Sequence, residues 1–297
     1  MTLPATVAIT LPPLVNPDFS MPIAANDRSG FATISDDFIF DAMDPNCYSG
    51  GVLPAVSAAM PTAGLVNLAN DTALAISRTA AAGAVTAIPS DGTKLPTFSG
   101  KGLRFLSGTC SPLNISKIGT TISRVAEPVL EGNVPFLDIV FFKINTFANA
   151  VSPYCAGLNN STSRYGGFIT TSAGGLIGAF PNQGTTIQPT ASTWMQLACY
   201  HTFDPVGLQT TLRLYLNGAF LASDTGSWTN TQGSANSSAR AQIGGVAGAN
   251  VMDGEVARVR RVYTTPWLAG LSGPASLAAI DALVANEYGW KMPLLNA

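Results

Sequence analysis

The sequence predicts an all-β protein, an antiparallel β-sandwich that begins near residue 31 and ends in a short helix. From Phe31 onward, short runs rich in β-branched and aromatic residues alternate with clusters of Gly, Asn, Ser and Pro, as strands and turns do. Asn217-Gly218 separates two of these runs, and Asn-Gly is the strongest short signal for a β-hairpin. Hydrophobic residues make up 46% of the 297-residue chain, which is enough to fill the core of a sandwich.

Residues 1–30 precede this region and are predicted to form an extended arm. Its prolines recur too often for a helix or a central strand: Pro4, Pro12, Pro13, Pro17 and Pro22. Apolar side chains such as Val7 and Ile9 lie between them, so we expect the arm to lie across its own domain, a neighbouring subunit or a partner's groove. A disordered leader is the alternative. The chain therefore divides into a Pro-rich arm for anchoring or assembly (1–30) and one domain (31–297).

Ten segments of this domain are predicted to be strands because they are rich in β-branched, aromatic or alternating apolar residues. They are Phe38–Phe40, Gly102–Leu106, Phe136–Lys143, Gly167–Thr171, Leu176–Phe180, Trp194–His201, Thr211–Leu216, Ala219–Ser223, Ala241–Ile243 and Gly254–Tyr263. The alternation is clearest in Thr211–Leu216, where three leucines fall on one face and Arg213 and Tyr215 on the other.

Two stretches have helical character. Val66–Ala82 is rich in alanine, but its Asn and Thr residues leave that prediction open. Ser276–Tyr288 follows a proline and keeps helical spacing of its apolar residues, and Gly289 supplies a natural C-terminal stop. We expect this short helix to pack the end of the chain onto the sandwich.

The chain carries few charges. Charged residues make up 11% of the sequence, against about 25% in an average soluble protein, and the net charge is −2. This balance argues against binding to nucleic acid or to acidic membranes through charge. A surface so weakly charged suggests cover by partner chains, and therefore a homo-oligomer, with a lectin of bland surface as the alternative.

Targeting signals and cysteine usage both indicate the compartment in which the chain is expected to fold. Every apolar run is interrupted well short of a membrane span, and the N-terminus lacks the basic and apolar regions of a secretory signal, so we expect a chain made and kept in a cytoplasm. The four cysteines are Cys47, Cys110, Cys155 and Cys199, which are far apart and lack metal-binding spacing. Buried free thiols are expected in that compartment, with a disulfide as the alternative.

The order of elements in the second half resembles a known family. The segments concerned are Trp194–His201, Leu212-Arg-Leu-Tyr-Leu-Asn-Gly218, Ala241-Gln-Ile-Gly-Gly245 and Asp253-Gly-Glu-Val-Ala-Arg-Val-Arg260. They resemble the closing strands of a concanavalin A-like, laminin-G-like jelly-roll domain. Upstream, Phe38–Asp44, Leu65–Asp71 and Lys101–Phe105 resemble its opening strands, and Leu283–Trp290 resembles its terminal helix in phage and bacterial surface proteins.

This resemblance covers about residues 31–293 and implies an antiparallel jelly-roll β-sandwich. The family binds sugars, proteins or calcium, or cleaves glycans, and it frequently occurs in phage tail fibres and capsid appendages. Its glycosidases place three carboxylates on one strand, at alternate positions. Here Asp138 stands alone among apolar residues, and Asp253 and Glu255 lack a third carboxylate. The missing acid–base pair argues against hydrolysis.

Other chemistry has weaker support. His201, the only histidine, shares a strand face with Cys199, but two such residues are more often packed neighbours than a catalytic pair. Loop oxygens that could hold calcium have no diagnostic spacing; they belong to Asp204, Asp224, Asn250 and Asp253. The basic run Arg258, Arg260 and Arg261 is interpreted as a solvated edge, with Arg258 and Arg260 on one face. We therefore expect no catalytic residues, no metal and no cofactor.

A sugar site needs an aromatic platform beside amides and carbonyls. Two loops have that composition, residues 159–165 and 227–230, although ordinary polar loops have it too. The candidate glycan-binding residues are Asn159, Asn160, Arg164, Tyr165, Trp228 and Asn230.

The sequence thus predicts a non-catalytic structural or attachment protein of a virion, a phage tail or capsid appendage. Its jelly-roll head is displayed or binds surface glycan, and its arm contacts other virion proteins. The assignment to a virion comes from the distribution of the family, as does the expectation of a homo-oligomer such as a trimer. The alternatives are a free carbohydrate-binding lectin-like module and a glycan-cleaving enzyme.

Overall fold

The computed structural model describes thirteen stretches of the chain: residues 36–68, 85–117, 135–147, 153–155, 158–159, 163–164, 167–170, 176–178, 190–204, 209–227, 241–246, 250–263 and 276–297. In chain order, the first strands are β1 (Asp36–Asp41), β2 (Leu65–Val66), β3 (Val85–Pro89), β4 (Thr97–Phe98), β5 (Leu103–Phe105), β6 (Leu113–Lys117), β7 (Phe136–Thr146), β8 (Tyr154–Cys155), β9 (Leu158–Asn159) and β10 (Ser163–Arg164). The remaining elements are β11 (Gly167–Thr170), β12 (Leu176–Gly178), β13 (Met195–Asp204), β14 (Gln209–Leu216), β15 (Ala219–Ser227), β16 (Ala241–Ile243), β17 (Gly245–Val246), β18 (Asn250–Val251), β19 (Asp253–Tyr263) and the helix α1 (Leu277–Asn296), with a single 3-10 turn at Pro45–Cys47.

The described strands form two main antiparallel sheets. The larger sheet has the order β15-β14-β13-β7-β19-β5-β4, and β1 pairs with β19 beside β5. The smaller sheet has the order β12-β11-β8-β16-β6-β3-β2. Two short ribbons, β9–β10 and β17–β18, accompany them. This confirms the predicted antiparallel jelly-roll sandwich with a C-terminal helix.

Two hydrophobic layers hold the fold together. One lies between the sheets and includes Phe40, Val140 and Leu214 from the larger sheet and Ile115 from the smaller one. The other lies between the outer face of the larger sheet and α1, where Phe141 packs with helix residues. Because both faces of the larger sheet are covered, its central strands carry almost no exposed side chain.

The predicted hairpin forms as expected. Asn217 has φ +49° and Gly218 has φ +82°, the pair of positive values that a type I′ turn requires. Leu212 and Leu214 face the core between the sheets, and Tyr215 faces the helix layer, which confirms the predicted alternation. A bulge at Leu221 interrupts the register near the turn, and regular pairing then runs from Ala222 to Ser227.

The helix differs from its prediction. It begins after Ser276, whose side chain caps it by accepting a hydrogen bond from the Ala279 amide, but it runs through Gly289 and ends only at Asn296. The predicted stop at Gly289 is therefore wrong. A glycine inside a helix costs about 1 kcal/mol, and the packing of Met292 and Leu295 against the sheet outweighs that cost. Among the described residues, no helix is long and apolar enough to cross a membrane.

Some of the other predictions are confirmed, some are incomplete, and one is untested. Strands β3 and β6 are not among the predicted strands. Leu65–Val66 is a strand, as the resemblance implies for Leu65–Asp71, and most of the possible helix Val66–Ala82 lies outside the described residues. Cys47 and Cys199 are buried free thiols, as expected, whereas the free thiol of Cys110 is partly exposed. The arm of residues 1–30 lies outside the described residues, so it stays a prediction.

Candidate functional site

The two segments predicted to bind glycan are attached to neighbouring strand ends. Cys155, the last residue of β8, pairs with Gln242 of β16 and with Gly167 of β11. The chain therefore leaves β8 and enters β11 at the same end of the smaller sheet at which β16 begins. Residues 156–166 consequently begin beside the point where residues 228–240 end, whereas residue 228 follows Ser227 at the end of β15 in the larger sheet. We call this end, marked by Cys155, Gly167 and Gln242, the loop end of the sandwich.

The structure places only part of the predicted glycan site. The backbones of Asn159 and Arg164 lie in the β9–β10 ribbon, where Asn159 pairs with Ser163 and Arg164 with Leu158. The other candidates lie outside the described residues: Asn160, Tyr165, Trp228 and Asn230. The attachment points thus come together, and the site itself stays a prediction.

A buried polar cluster lies beside the loop end, between the two sheets. Arg261 on β19 donates from Nε to Oδ1 of Asp138 at 2.8 Å and from Nη2 to Oδ2 at 2.9 Å. The same Nη2 donates to the hydroxyl of Tyr154 at 2.9 Å. Tyr154 directly precedes Cys155 at the end of β8, so this cluster ties the loop end of the smaller sheet to β7 and β19 of the larger one.

His201 and Cys199 occupy the same region as packed core residues. The imidazole of His201 stacks on the ring of Phe136 with centroids 4.3 Å apart, and both His201 and Cys199 are buried. Burial, and then the charge of Asp138, raise the pKa of the Cys199 thiol. Burial, and then the charge of Arg261, lower the pKa of His201 to about 3. At neutral pH the pair is a thiol beside a neutral imidazole enclosed by core, which is a poor arrangement for nucleophilic catalysis.

The depressed pKa of His201 makes the protein sensitive to acid. A histidine in the unfolded chain takes up its proton near the ordinary pKa of 6.5, whereas folded His201 does so only near 3. The free energy of unfolding should therefore decrease as the pH falls from 6.5 towards 3. Replacing His201 by Phe should flatten this part of the profile, measured by urea denaturation at stepped pH values. An unchanged slope in the variant would show that other groups cause the loss.

A second buried ionic cluster joins α1 to the outer face of the larger sheet. Glu287 accepts from Arg258 Nε at 3.1 Å and also from Arg260 Nη1. Asp41 accepts from Lys291 at 2.7 Å and from Arg258 Nη1 at 3.2 Å. Burial alone would raise the pKa of Glu287, but the two guanidinium groups lower it to about 2. The helix is therefore fixed to β19 and β1 by charge as well as by apolar packing.

These contacts correct the interpretation of the basic run as a solvated edge. Arg258, Arg260 and Arg261 are each at most 1% exposed, and β19 pairs with other strands on both sides. Arg258 and Arg260 do share a face, as the alternation indicated, and Arg261 lies on the other. The predicted exposure of these arginines is wrong because both faces of this strand are covered. Each arginine therefore needs a buried carboxylate.

Of the other two acidic residues considered for catalysis, Glu255 has structural partners. Glu255 accepts a hydrogen bond from the hydroxyl of Ser99 at 2.6 Å and forms a 2.7 Å ion pair with Lys143, which lies over the ring of Trp194. The nearby Oδ1 of Asp253 is buried and has no hydrogen-bond partner within the described part of the chain. No three His, Cys, Asp or Glu side chains of the described residues come together as a metal-ligand set.

Comparison with known proteins finds only distant similarity. No family model matches the sequence, and neither does any curated protein. Trypanosoma rangeli sialidase in complex with sialic acid is 11% identical, with a TM-score of 0.47 over 83% of this chain and 36% of the sialidase. The CBM40 of Ruminococcus gnavus IT-sialidase, bound to α2,3-sialyllactose, is 15% identical, with a TM-score of 0.38 over 55% of this chain and 89% of the module. This chain spans about a third of the sialidase, and likenesses this distant carry no argument about function.

Proposed function

We propose that this protein is a non-catalytic glycan-binding β-sandwich whose binding site lies at the loop end. The observation that carries the proposal is the pairing of Cys155 with Gln242, which places the start of residues 156–166 beside the end of residues 228–240. The predicted loop 227–230 begins at Ser227, the last residue of β15 in the larger sheet, and residues 231–240 connect it to the strand end beside β8.

The chemistry of these segments suits a sugar. Pyranose rings stack on aromatic faces, and Tyr165 and Trp228 supply one aromatic ring from each segment. Sugar hydroxyls need paired donors and acceptors, which the remaining candidates provide as amides and a guanidinium: Asn159, Asn160, Arg164 and Asn230. The buried Arg261–Asp138–Tyr154 cluster would hold one attachment point rigid against the larger sheet.

Binding is favoured over cleavage because three carboxylates of the sandwich, including the two on predicted strands that were considered for catalysis, are paired with cations. Asp138 is paired with Arg261, Glu287 with Arg258 and Arg260, and Glu255 with Lys143. A general acid must be free to hand its proton to a substrate, and a carboxylate paired with a guanidinium or ammonium group inside the fold is not placed to do so. These three carboxylates therefore contribute to the fold, and glycan cleavage remains the less favoured alternative.

The proposal predicts that aromatic side chains at the loop end control binding. Trp228→Ala or Tyr165→Ala should weaken glycan binding about 10- to 100-fold, since burying an aromatic side chain contributes about 1.5–3 kcal/mol. The measurement is titration calorimetry with the strongest ligand from a panel of neutral and sialylated glycans. Leu106→Ala is a suitable control, because Leu106 is 42% exposed and lies away from the loop end. It follows Phe105, which pairs with Gly254 at the start of β19, whereas Arg261, which contacts Tyr154 at the loop end, lies near the end of β19. Equal binding by all variants would remove the site from the loop end.

We further propose that the head belongs to a homo-oligomeric virion appendage, with the Pro-rich arm making contacts between chains. Its support is the family resemblance, the apolar arm and the low charge. At least nine charged side chains are buried, so fewer of the 11% remain for the surface. A free lectin-like module is the alternative, and it would be a monomer that binds glycan equally well without the arm.

A further inference from the structure

Strand β15 ends the larger sheet with an unusually long edge. It has nine residues, and among the described strands it pairs with β14 alone. The other strands of the two main sheets that pair with a single described strand are shorter: β1 has six residues, β12 has three, and β2 and β4 have two each. From Ala222 to Ser227 the register is regular, so the outward backbone groups of this stretch can accept another strand.

Most of the usual devices that prevent strand addition are missing from this edge, and its bulge at Leu221 lies outside the regular stretch from Ala222 to Ser227. Lysine, arginine and proline are absent from β15, and its one charge is Asp224. Phe220 is 47% exposed and Leu221 is 39% exposed beside it. The guanidinium of Arg213 stacks over the ring of Phe220 at 3.8 Å and donates a hydrogen bond to Asp281 of α1. Leu277, one helical turn before Asp281, is 52% exposed and extends the apolar surface. A backbone edge that no described strand covers is thus bordered by exposed apolar side chains.

One segment of the chain has the complementary pattern. Residues 5–11 read Ala-Thr-Val-Ala-Ile-Thr-Leu, bounded by Pro4 and Pro12. Ala5, Val7, Ile9 and Leu11 alternate with small or β-branched residues, which is the period of a strand with one apolar face. Its seven residues are enough to cover the six residues of the regular part of β15. It carries no charge, as a strand laid beside apolar residues should not.

The composition of the connection favours a neighbouring molecule as the acceptor. Pro12, Pro13, Pro17 and Pro22 stand between this segment and β1, and proline-rich linkers are extended, semi-rigid spacers of about 3.1 Å per residue. Along the larger sheet, β1 and β15 are separated by about five strand spacings, or roughly 24 Å. At that rise per residue, the 24 residues between the segment and β1 would overshoot this distance, so we expect folding back onto its own edge to be disfavoured.

We infer that residues 5–11 of one chain add as a strand to the β15 edge of a second copy, which makes the arm the element that joins the subunits. This inference rests on the proposed homo-oligomer and names the surface that receives the arm. It can be tested apart from glycan binding, because the probe position Phe220 lies at the opposite end of β15 from Ser227, where residues 228–240 begin.

Photo-crosslinking of the full chain tests the inference. Benzoylphenylalanine in place of Phe220 should give covalent dimers on illumination, and mass spectrometry should identify the crosslinked partner as the peptide of residues 1–28. The same probe in place of Val52, which is 71% exposed elsewhere on the surface, should give no crosslink to that peptide. Crosslinking of the peptide within a single chain, crosslinking to another segment, or no crosslink would each overturn the inference.

Matched charge variants separate this contact from the oligomer itself. Val7→Asp with Ile9→Asp places two charges on the apolar face and should abolish the crosslinked dimer, whereas Thr6→Asp with Thr10→Asp adds the same charge to the other face and should retain it. Light scattering of the unmodified chain completes the test. An oligomer without the crosslink would refute only this contact, and a monomer would refute the proposed homo-oligomer as well.

Discussion

Replacing Asp138 by Asn is expected to lower the free energy of unfolding by about 3–5 kcal/mol, because Arg261 would keep its charge in the core without a carboxylate. Both side chains of this pair are fully buried and their contact is bidentate. The tyrosine hydroxyl that also contacts Arg261 cannot replace the lost charge. Urea denaturation of the two proteins measures the difference.

Two further variants make this expectation specific. Asp224→Asn changes an exposed aspartate on β15 and should change stability by less than about 0.5 kcal/mol. Asp138→Leu combined with Arg261→Met removes both charges and should recover much of the loss, since apolar residues of similar volume often replace a buried ion pair without cost. A loss below about 1 kcal/mol in Asp138→Asn would show that this pair contributes little to the stability of the fold.

Replacing Glu287 by Gln should have a comparable effect, about 3–5 kcal/mol, because one carboxylate neutralises both Arg258 and Arg260. The loss should detach α1 in particular, since the contact lies between the helix and β19. The contribution of Glu287 should also depend on pH. Its folded pKa of about 2 lies below the ordinary glutamate value of 4.5, so its stabilisation is complete above pH 4.5 and disappears as the pH falls towards 2.

The control for this prediction lies on the same helix. Asp281 forms an ion pair with Arg213, but its side chain is 43% exposed, so Asp281→Asn should cost at most about 1 kcal/mol. Helix content by circular dichroism and stability by denaturation should be followed together. If Glu287→Gln and Asp281→Asn lose equal stability, the buried cluster is not what fixes α1.

The sandwich could be predicted because its evidence is local. The alternation in Thr211–Leu216 and the positive φ values required at Asn217 and Gly218 depend on neighbouring residues only. The ionic clusters depend on distant ones: Arg261 and Asp138 are 123 residues apart, and Lys291 and Asp41 are 250 residues apart. Alternation assigns an arginine to a face, but it does not indicate whether a helix later covers that face.

One signal in the sequence could have indicated these clusters. Asp138 stands between Leu137 and Ile139, and the arginines of β19 are enclosed by Val259 and Val262. When charged residues are rare in a sequence, a charged residue inside a strongly apolar strand indicates that the strand is buried. A buried charge then needs an opposite charge beside it.

The glycan loops gave a different kind of signal. Their composition suggests a ligand class, while the register of β8 and β16 was needed to bring their ends together.

Hydrogen exchange with and without a glycan selected from the panel tests the central claim most directly. We expect slower exchange in residues 156–166 and in residues 228–240 when the glycan is bound, and unchanged exchange around Phe220 and along α1. Failure of every glycan to bind, or protection confined to the outer face of the larger sheet, would contradict a sugar site at the loop end.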